Sequence, residues 1–175
     1  MTDSAYLQFI QKVDLTGNKI TMLPNISVQN LSKLILDENE INKCDIISNS
    51  SLKVLSLNKN KLVNCEGIKN LTSLEELSIT ENETLVSLKG LSNLPSLKKL
   101  ILNGSKVANL KEFPDLPQLE VLSLEGNAIS SLIDLKRIGH LKNLKELNMT
   151  GCPISDEKAD EFKKEVLIEL MHRLK

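Results

Sequence analysis

Tryptophan is absent from these 175 residues, and the aromatic side chains amount to one tyrosine and three phenylalanines. A core without large rings must be assembled from many aliphatic groups of similar size, which excludes packing around a few bulky anchors. Arginine is scarce as well, at Arg137 and Arg173, and 22 Lys+Arg against 23 Asp+Glu leave a formal net charge of -1. That balance removes the broad positive field that binds nucleic acid without regard to sequence, so no direct nucleic-acid partner is expected. No apolar run approaches the roughly 18 residues of a membrane span, and no membrane partner is expected either. Met1 to Ala5 lack the basic segment and apolar stretch of a secretory leader. The three cysteines, Cys44, Cys65 and Cys152, are odd in number and too widely spaced for a zinc or redox motif. Together these absences predict an intracellular protein, cytoplasmic, nuclear or both.

Catalytic parts are also missing. His140 and His172 are the two histidines, and neither falls in register with a repeated nucleophile. The chain has no G-x-x-x-x-G-K-[ST], G-x-G-x-x-G, H-E-x-x-H or C-x-x-C motif. It therefore reads as a non-enzyme, with no cofactor and no metal site expected.

What the chain does have is leucine and asparagine, 33 and 17 of them. They are not scattered. The pattern L-x-x-L-x-L-x-x-N-x-I occurs seven times, starting at Ile10, Leu31, Leu52, Leu74, Leu97, Leu119 and Leu144, at spacings of 21, 21, 22, 23, 22 and 25. This period and consensus are those of leucine-rich repeats, in which each unit is one coil of a solenoid and buries its apolar face against its neighbours. The reading is a single domain over residues 1–175 with an α/β solenoid fold. It predicts a right-handed superhelix with a parallel concave sheet, 3₁₀ segments on the convex side and a C-terminal capping helix at about 155–175.

Positions within the repeat divide the labour. The fourth and sixth residues of each unit point the same way from a short strand, so Leu34 with Leu36 and Leu55 with Leu57 face inward. The ninth position holds Asn18, Asn39, Asn60, Asn82 and Asn127, with Ser105 and Cys152 as substitutes. An amide carries donors and an acceptor, so a column of Asn can satisfy backbone groups that a tight buried turn would orphan. On the convex side, Leu88, Leu91, Leu94 and Leu97 are three apart, as are Leu110, Phe113, Leu116 and Leu119, and Leu132, Leu135, Ile138, Leu141 and Leu144. Three-residue spacing suits 3₁₀ turns. Pro24 and Asn25 point to an extended convex segment in the first unit instead. Tyr6, Leu7 and Phe9 are the residues available to cover the first coil, and Ala159, Phe162, Val166, Leu167, Leu170, Met171 and Leu174 give the last segment a helical apolar face. Cys44 and Cys65 share the fourteenth position, where either a disulfide or two buried thiols can form.

Binding belongs on the outward positions of the concave strands. The third and fifth columns supply Lys33, Val54, Glu76, Lys99, Val121 and Glu146, and Ile35, Ser56, Ser78, Ile101, Ser123 and Asn148. The seventh adds Asp37, Asn58, Thr80, Asn103 and Glu125. Over all seven units the third, fifth, seventh and eighth positions hold seven acidic residues against four lysines, which favours a protein partner with a basic surface. Ile35 with Val54, and Ile101 with Val121, form two apolar spots suited to anchor it.

The unit as a whole, with its Leu-x-x-Leu-x-x-Leu convex segment, resembles the repeat subclass named after a phosphatase regulatory subunit. Leu97-Lys98-Lys99-Leu100, the unit ending Leu141-Lys142-Asn143-Leu144-Lys145-Glu146-Leu147, Cys152 in place of Asn, and Phe162-Lys163 resemble the acidic leucine-rich nuclear phosphoprotein 32 family, without its acidic tail. That resemblance implies an intracellular binding protein of nucleus and cytoplasm that engages histones, phosphatases or other regulators without catalysis of its own, and a monomer is expected. The outer-arm dynein light chain shares the subclass and implies the alternative of a structural part in a cytoskeletal or ciliary assembly, and the phosphatase regulators imply a regulatory or inhibitory subunit.

Overall fold

In the computed structural model, residues 7–23, 28–44 and 49–154 are described, together with positions 160, 164 and 168, which are helical. The expected Pro24–Asn25 segment, Tyr6 and the apolar face of the cap lie outside the described residues.

Among the described residues, seven three-residue strands form one parallel sheet. In chain order they are β1 (Lys12–Asp14), β3 (Lys33–Ile35), β5 (Val54–Ser56), β6 (Glu76–Ser78), β7 (Lys99–Ile101), β8 (Val121–Ser123) and β9 (Glu146–Asn148). Each strand pairs with the next at identical repeat positions, so Leu34, Leu55, Leu77, Leu100, Leu122 and Leu147 form one row. The backbone repeats with the same regularity. The carbonyls of Gln11, Ser32, Lys53, Glu75, Lys98 and Glu120 each accept two N–H groups from the following coil. A second small parallel sheet joins β2 (Met22–Leu23) to β4 (Lys43–Cys44) on the return side of the first two coils.

The inward rows make the core. Leu34, Leu36, Leu55, Leu57, Leu100, Leu102, Leu122 and Leu124 are fully buried, and one continuous cluster runs from Leu23 to Ile154. At the amino-terminal end burial falls away, because Val13 and Leu15 have a neighbouring coil on one side only and are partly buried. Leu7 and Phe9 do not cover that end, with Phe9 77% exposed.

Position eight closes every strand with a left-handed residue. Gly17, Glu38, Lys59, Glu81, Gly104, Gly126 and Gly151 have φ between 53° and 72°. That conformation turns the chain off the concave face and into the asparagine-lined corner.

The convex side departs from a uniform 3₁₀ pattern. Among the described residues, the one 3₁₀ helix is Glu66–Ile68, and the sixth coil carries instead an α-helix, α1 (Ile133–Ile138). Between them the three-residue spacing survives as single turns: Leu91 N donates to Leu88 O, Leu97 N to Leu94 O, Phe113 N to Leu110 O and Leu119 N to Leu116 O. Pro95, Pro114 and Pro117 stand within these stretches and supply no N–H, so successive turns cannot fuse into a helix. The 25-residue coil has the length for a true helix. Where coils approach closest, glycine is obligatory: a Cβ on Gly90 would sit 2.3 Å from Cys65 backbone atoms, and one on Gly67 2.1 Å from the Cys44 carbonyl oxygen.

Candidate protein-binding face

The concave surface is built from strand positions three and five and the turn position seven. Register places Lys33, Val54, Glu76, Lys99, Val121 and Glu146 side by side on consecutive strands, with Ile35, Ser56, Ser78, Ile101, Ser123 and Asn148 in a parallel row. Ile35, Val54, Ile101 and Val121 are half-buried, and each Ile lies diagonal to the Val on the next strand. Side chains so placed are within reach of one another. Two adjoining hollows follow the face. One of about 230 Å³ is lined by Lys33, Ile35, Val54, Glu76 and neighbours, and one of about 700 Å³ by Val121, Glu146, Asn148 and neighbours, with Lys99 and Ile101 shared by both.

Several residues expected to meet a partner are engaged within the sheet. Asp37 Oδ1 accepts from Ser56 Oγ at 2.6 Å and from Asn58 N at 2.8 Å. Asn58 Oδ1 accepts from Ser78 Oγ and Thr80 N, both at 2.7 Å. Asn103 Oδ1 accepts from Glu125 N at 3.1 Å, and Asn148 Nδ2 donates to Glu125 Oε2 at the same distance. Side chains at position seven thus tie the second coil to the third, the third to the fourth, the fifth to the sixth and the sixth to the seventh, and Ser123 is buried altogether. Asp or Asn at that position in three of the seven units is a trace of this in the sequence, but it does not give the partners.

The ninth-position asparagines sit behind this face. Asn39, Asn60, Asn82 and Asn127 each donate through Nδ2 to a sixth-position carbonyl of the preceding coil, Leu15, Leu36, Leu57 and Leu102 respectively, at 2.8–2.9 Å. Each Oδ1 accepts an N–H of that coil: Ile20, Ile41, Leu62 and Val107. Asn18 is exposed and bonds within its own coil, to Leu15 O and Thr16 O. Ser105 is too short to reach, and its buried Oγ has no partner. The Leu85 N–H instead closes a local turn onto Asn82 O. Cys152 substitutes partly, donating from Sγ to Leu124 O at 3.2 Å.

Elsewhere, charges are paired from coil to coil. At position two Lys53, Glu75, Lys98, Glu120 and Lys145 alternate, with Glu75 bridging Lys53 at 3.3 Å and Lys98 at 2.8 Å, and Glu120 bridging Lys145 at 2.8 Å. Glu38 pairs with Lys59, Glu40 with Lys61 and Glu66 with Lys89. The lysine partners hold the Glu40, Glu66 and Glu75 carboxyls below the usual range by hydrogen bonding and charge. Glu38, and then Glu81, raises Lys59. The hydrogen bond from the Thr16 hydroxyl lowers Asp14.

Among the described residues no cluster of His, Cys, Asp and Glu could hold a metal ion. His140 Nε2 lies 3.8 Å from Asp115 on the exposed convex side. Burial, with the charge of nearby Cys44, pushes the Cys65 thiol far above its ordinary value, which keeps it protonated and a poor nucleophile. Asp134, unremarked in the sequence, is 3% exposed and accepts the Leu110 N–H at 2.8 Å, a packing role on α1.

A parallel sheet of coils with an inner asparagine column is the architecture of a leucine-rich-repeat protein. Consistent with it, the family described as Leucine Rich repeats (2 copies) matches residues 117–163. No curated protein matches the chain. Among solved structures, an internalin, InlF, from Listeria monocytogenes is similar at TM-score 0.62 and 24% identity, covering 85% of this chain and 50% of its own. The functional domain of InlJ from the same organism, which includes a cysteine ladder, gives 0.65 and 20% over 93% and 39%. Human 5T4, the trophoblast glycoprotein or Wnt-activated inhibitory factor 1, gives 0.52 and 21% over 82% and 70%. This chain thus spans half of the InlF structure or less than half of the InlJ one, and the likeness is one of fold. Among the described residues, no helix is long and apolar enough to cross a membrane.

Proposed function

We propose that the chain is a non-catalytic interaction module that holds a protein partner on its concave sheet. One contrast carries the reading. The five charges at position two, Glu38 with Lys59 and Glu40 with Lys61 are paired between coils, whereas, among the described residues, Lys33, Glu76, Lys99 and Glu146 on the concave face make no ion pair, as Lys19, Glu81, Glu83 and Lys106 at positions eight and ten also do not. Charges left unpaired beside half-buried Ile35, Val54, Ile101 and Val121 form a surface with polar and apolar groups free for a partner. With Asp37 bonded by Ser56 and Asn58, and Glu38 by Lys59, the open third-position charges from β3 to β9 are two lysines and two glutamates. Such a face suits a partner of mixed charge better than a uniformly basic one.

Within this reading, the resemblance to the acidic leucine-rich nuclear phosphoprotein 32 family favours a regulator of nucleus and cytoplasm that acts as a monomer on a histone or a phosphatase. Affinity purification followed by mass spectrometry tests that form, and recovery of an axonemal assembly instead would favour the structural alternative. The face itself is tested by Ile101→Asp with Val121→Asp. The double variant is expected to melt like the parent and to lose the partner, and retention of every partner would remove the concave face as the site.

A further inference from the structure

Strands β3, β5 and β6 read Lys-Leu-Ile, Val-Leu-Ser and Glu-Leu-Ser, while β7, β8 and β9 read Lys-Leu-Ile, Val-Leu-Ser and Glu-Leu-Asn. The two sets differ at one place, Ser78 against Asn148. Because the register is in step throughout, this is a repetition in space: Lys33, Val54 and Glu76 recur as Lys99, Val121 and Glu146, three strands further along one face. Core packing does not demand it, since positions three and five point away from the leucine row. Each set also lines its own hollow, and Lys99 and Ile101 border both.

We propose that the concave face carries two equivalent subsites, each reading acid, apolar and base on successive turns of an α-helix lying across the strands. The inference rests on the concave-face reading above. Lys33 and Lys99 call for carboxylates, the Ile–Val diagonals for aliphatic groups, and Glu76 and Glu146 for cations. Pitch selects the helix. From the first strand of a subsite to the third is two spacings, about 10 Å. A helix rises about 5.4 Å per turn, so three side chains on successive turns cover about 11 Å, one per strand. An extended peptide presents alternate side chains about 6.7 Å apart, so its third falls at about 13 Å, past the third strand. The mismatch between helix and sheet is about 1 Å per subsite and about 3 Å over both, within the reach of Lys and Glu side chains. The order Lys, Val, Glu also fixes the direction in which the helix lies.

Three synthetic helical peptides test this by titration calorimetry: one of about six turns carrying the acid–apolar–base face twice, its half-length version, and a full-length version with lysine in place of each acid. The double-face peptide is expected to bind at least about tenfold tighter than the half, because its second contact is intramolecular, and the all-basic peptide not to bind. Lys33→Glu with Glu76→Lys, and separately Lys99→Glu with Glu146→Lys, are each expected to reduce the double-face affinity to that of the half. Equal binding of the long and short peptides, loss from one variant pair only, or no binding by any peptide overturns the proposal. If the peptides fail while Ile101→Asp with Val121→Asp still releases the natural partner, the concave site stands and the duplicated helix-reading subsites fall.

Discussion

In four of the coils a single asparagine, Asn39, Asn60, Asn82 or Asn127, holds two neighbouring backbones together. Asn60 joins Leu36 O and Ile41 N inside a corner from which water is excluded, so Asn60→Ala should destabilise by about 1–3 kcal/mol by leaving both groups unpaired. At Ser105 the same column predicts the opposite sign. Its hydroxyl is buried without a partner, so Ser105→Ala should leave the melting temperature unchanged or raise it, by up to about 1 kcal/mol of stability. Equal losses at both positions in thermal melts would contradict the bonding scheme. The leucine rows respond through volume instead. Leu57 and Leu100 are fully buried between stacked neighbours, and either change to Ala should cost about 2–5 kcal/mol in denaturant unfolding.

The coil as an element was legible from its repeat. The spacing of Leu34, Leu55, Leu77 and Leu122 specified both their burial and their in-step pairing, because a period of two within each strand leaves one register that buries every leucine. Less was legible where two residue types serve one geometry. Glu38, Lys59 and Glu81 take the same left-handed turn as the glycines of the other coils, and no composition rule singles them out. At the concave face the columns were readable, but the engagement of Asp37, Asn58 and Asn103 in bonds between coils depends on distances that spacing alone does not provide. The charged columns make a prediction at this scale. Glu75 has its carboxyl held below its ordinary value of 4.5 by Lys98 and Lys53, as Glu40 and Glu66 do by their own lysines. A depressed folded-state value means that the stabilisation is fully present above pH 4.5 and is lost as the pH falls through the lowered value. Melting temperature should therefore decline on acidification below about pH 4.5, less steeply in Glu75→Gln and less steeply in high salt, which screens exposed pairs. Parallel curves for parent and variant would remove these pairs from the acid response.

For the whole molecule, stability is a sum over coils and the contacts between adjacent ones, with the first coil least covered. The alternation at position two then acts as a parity rule on length. Excising residues 97–118 would set Glu75 against Glu120, where Lys98 now stands between two glutamates. The shortened protein should melt higher when Glu120→Lys and Lys145→Glu are introduced with the excision, and those exchanges in the intact chain should lower the melt by placing Lys98 beside a lysine. From the third coil to the seventh, such a chain does not accept an added or lost coil at random: one internal coil more or fewer brings like charges together along that edge, and two adjacent ones do not.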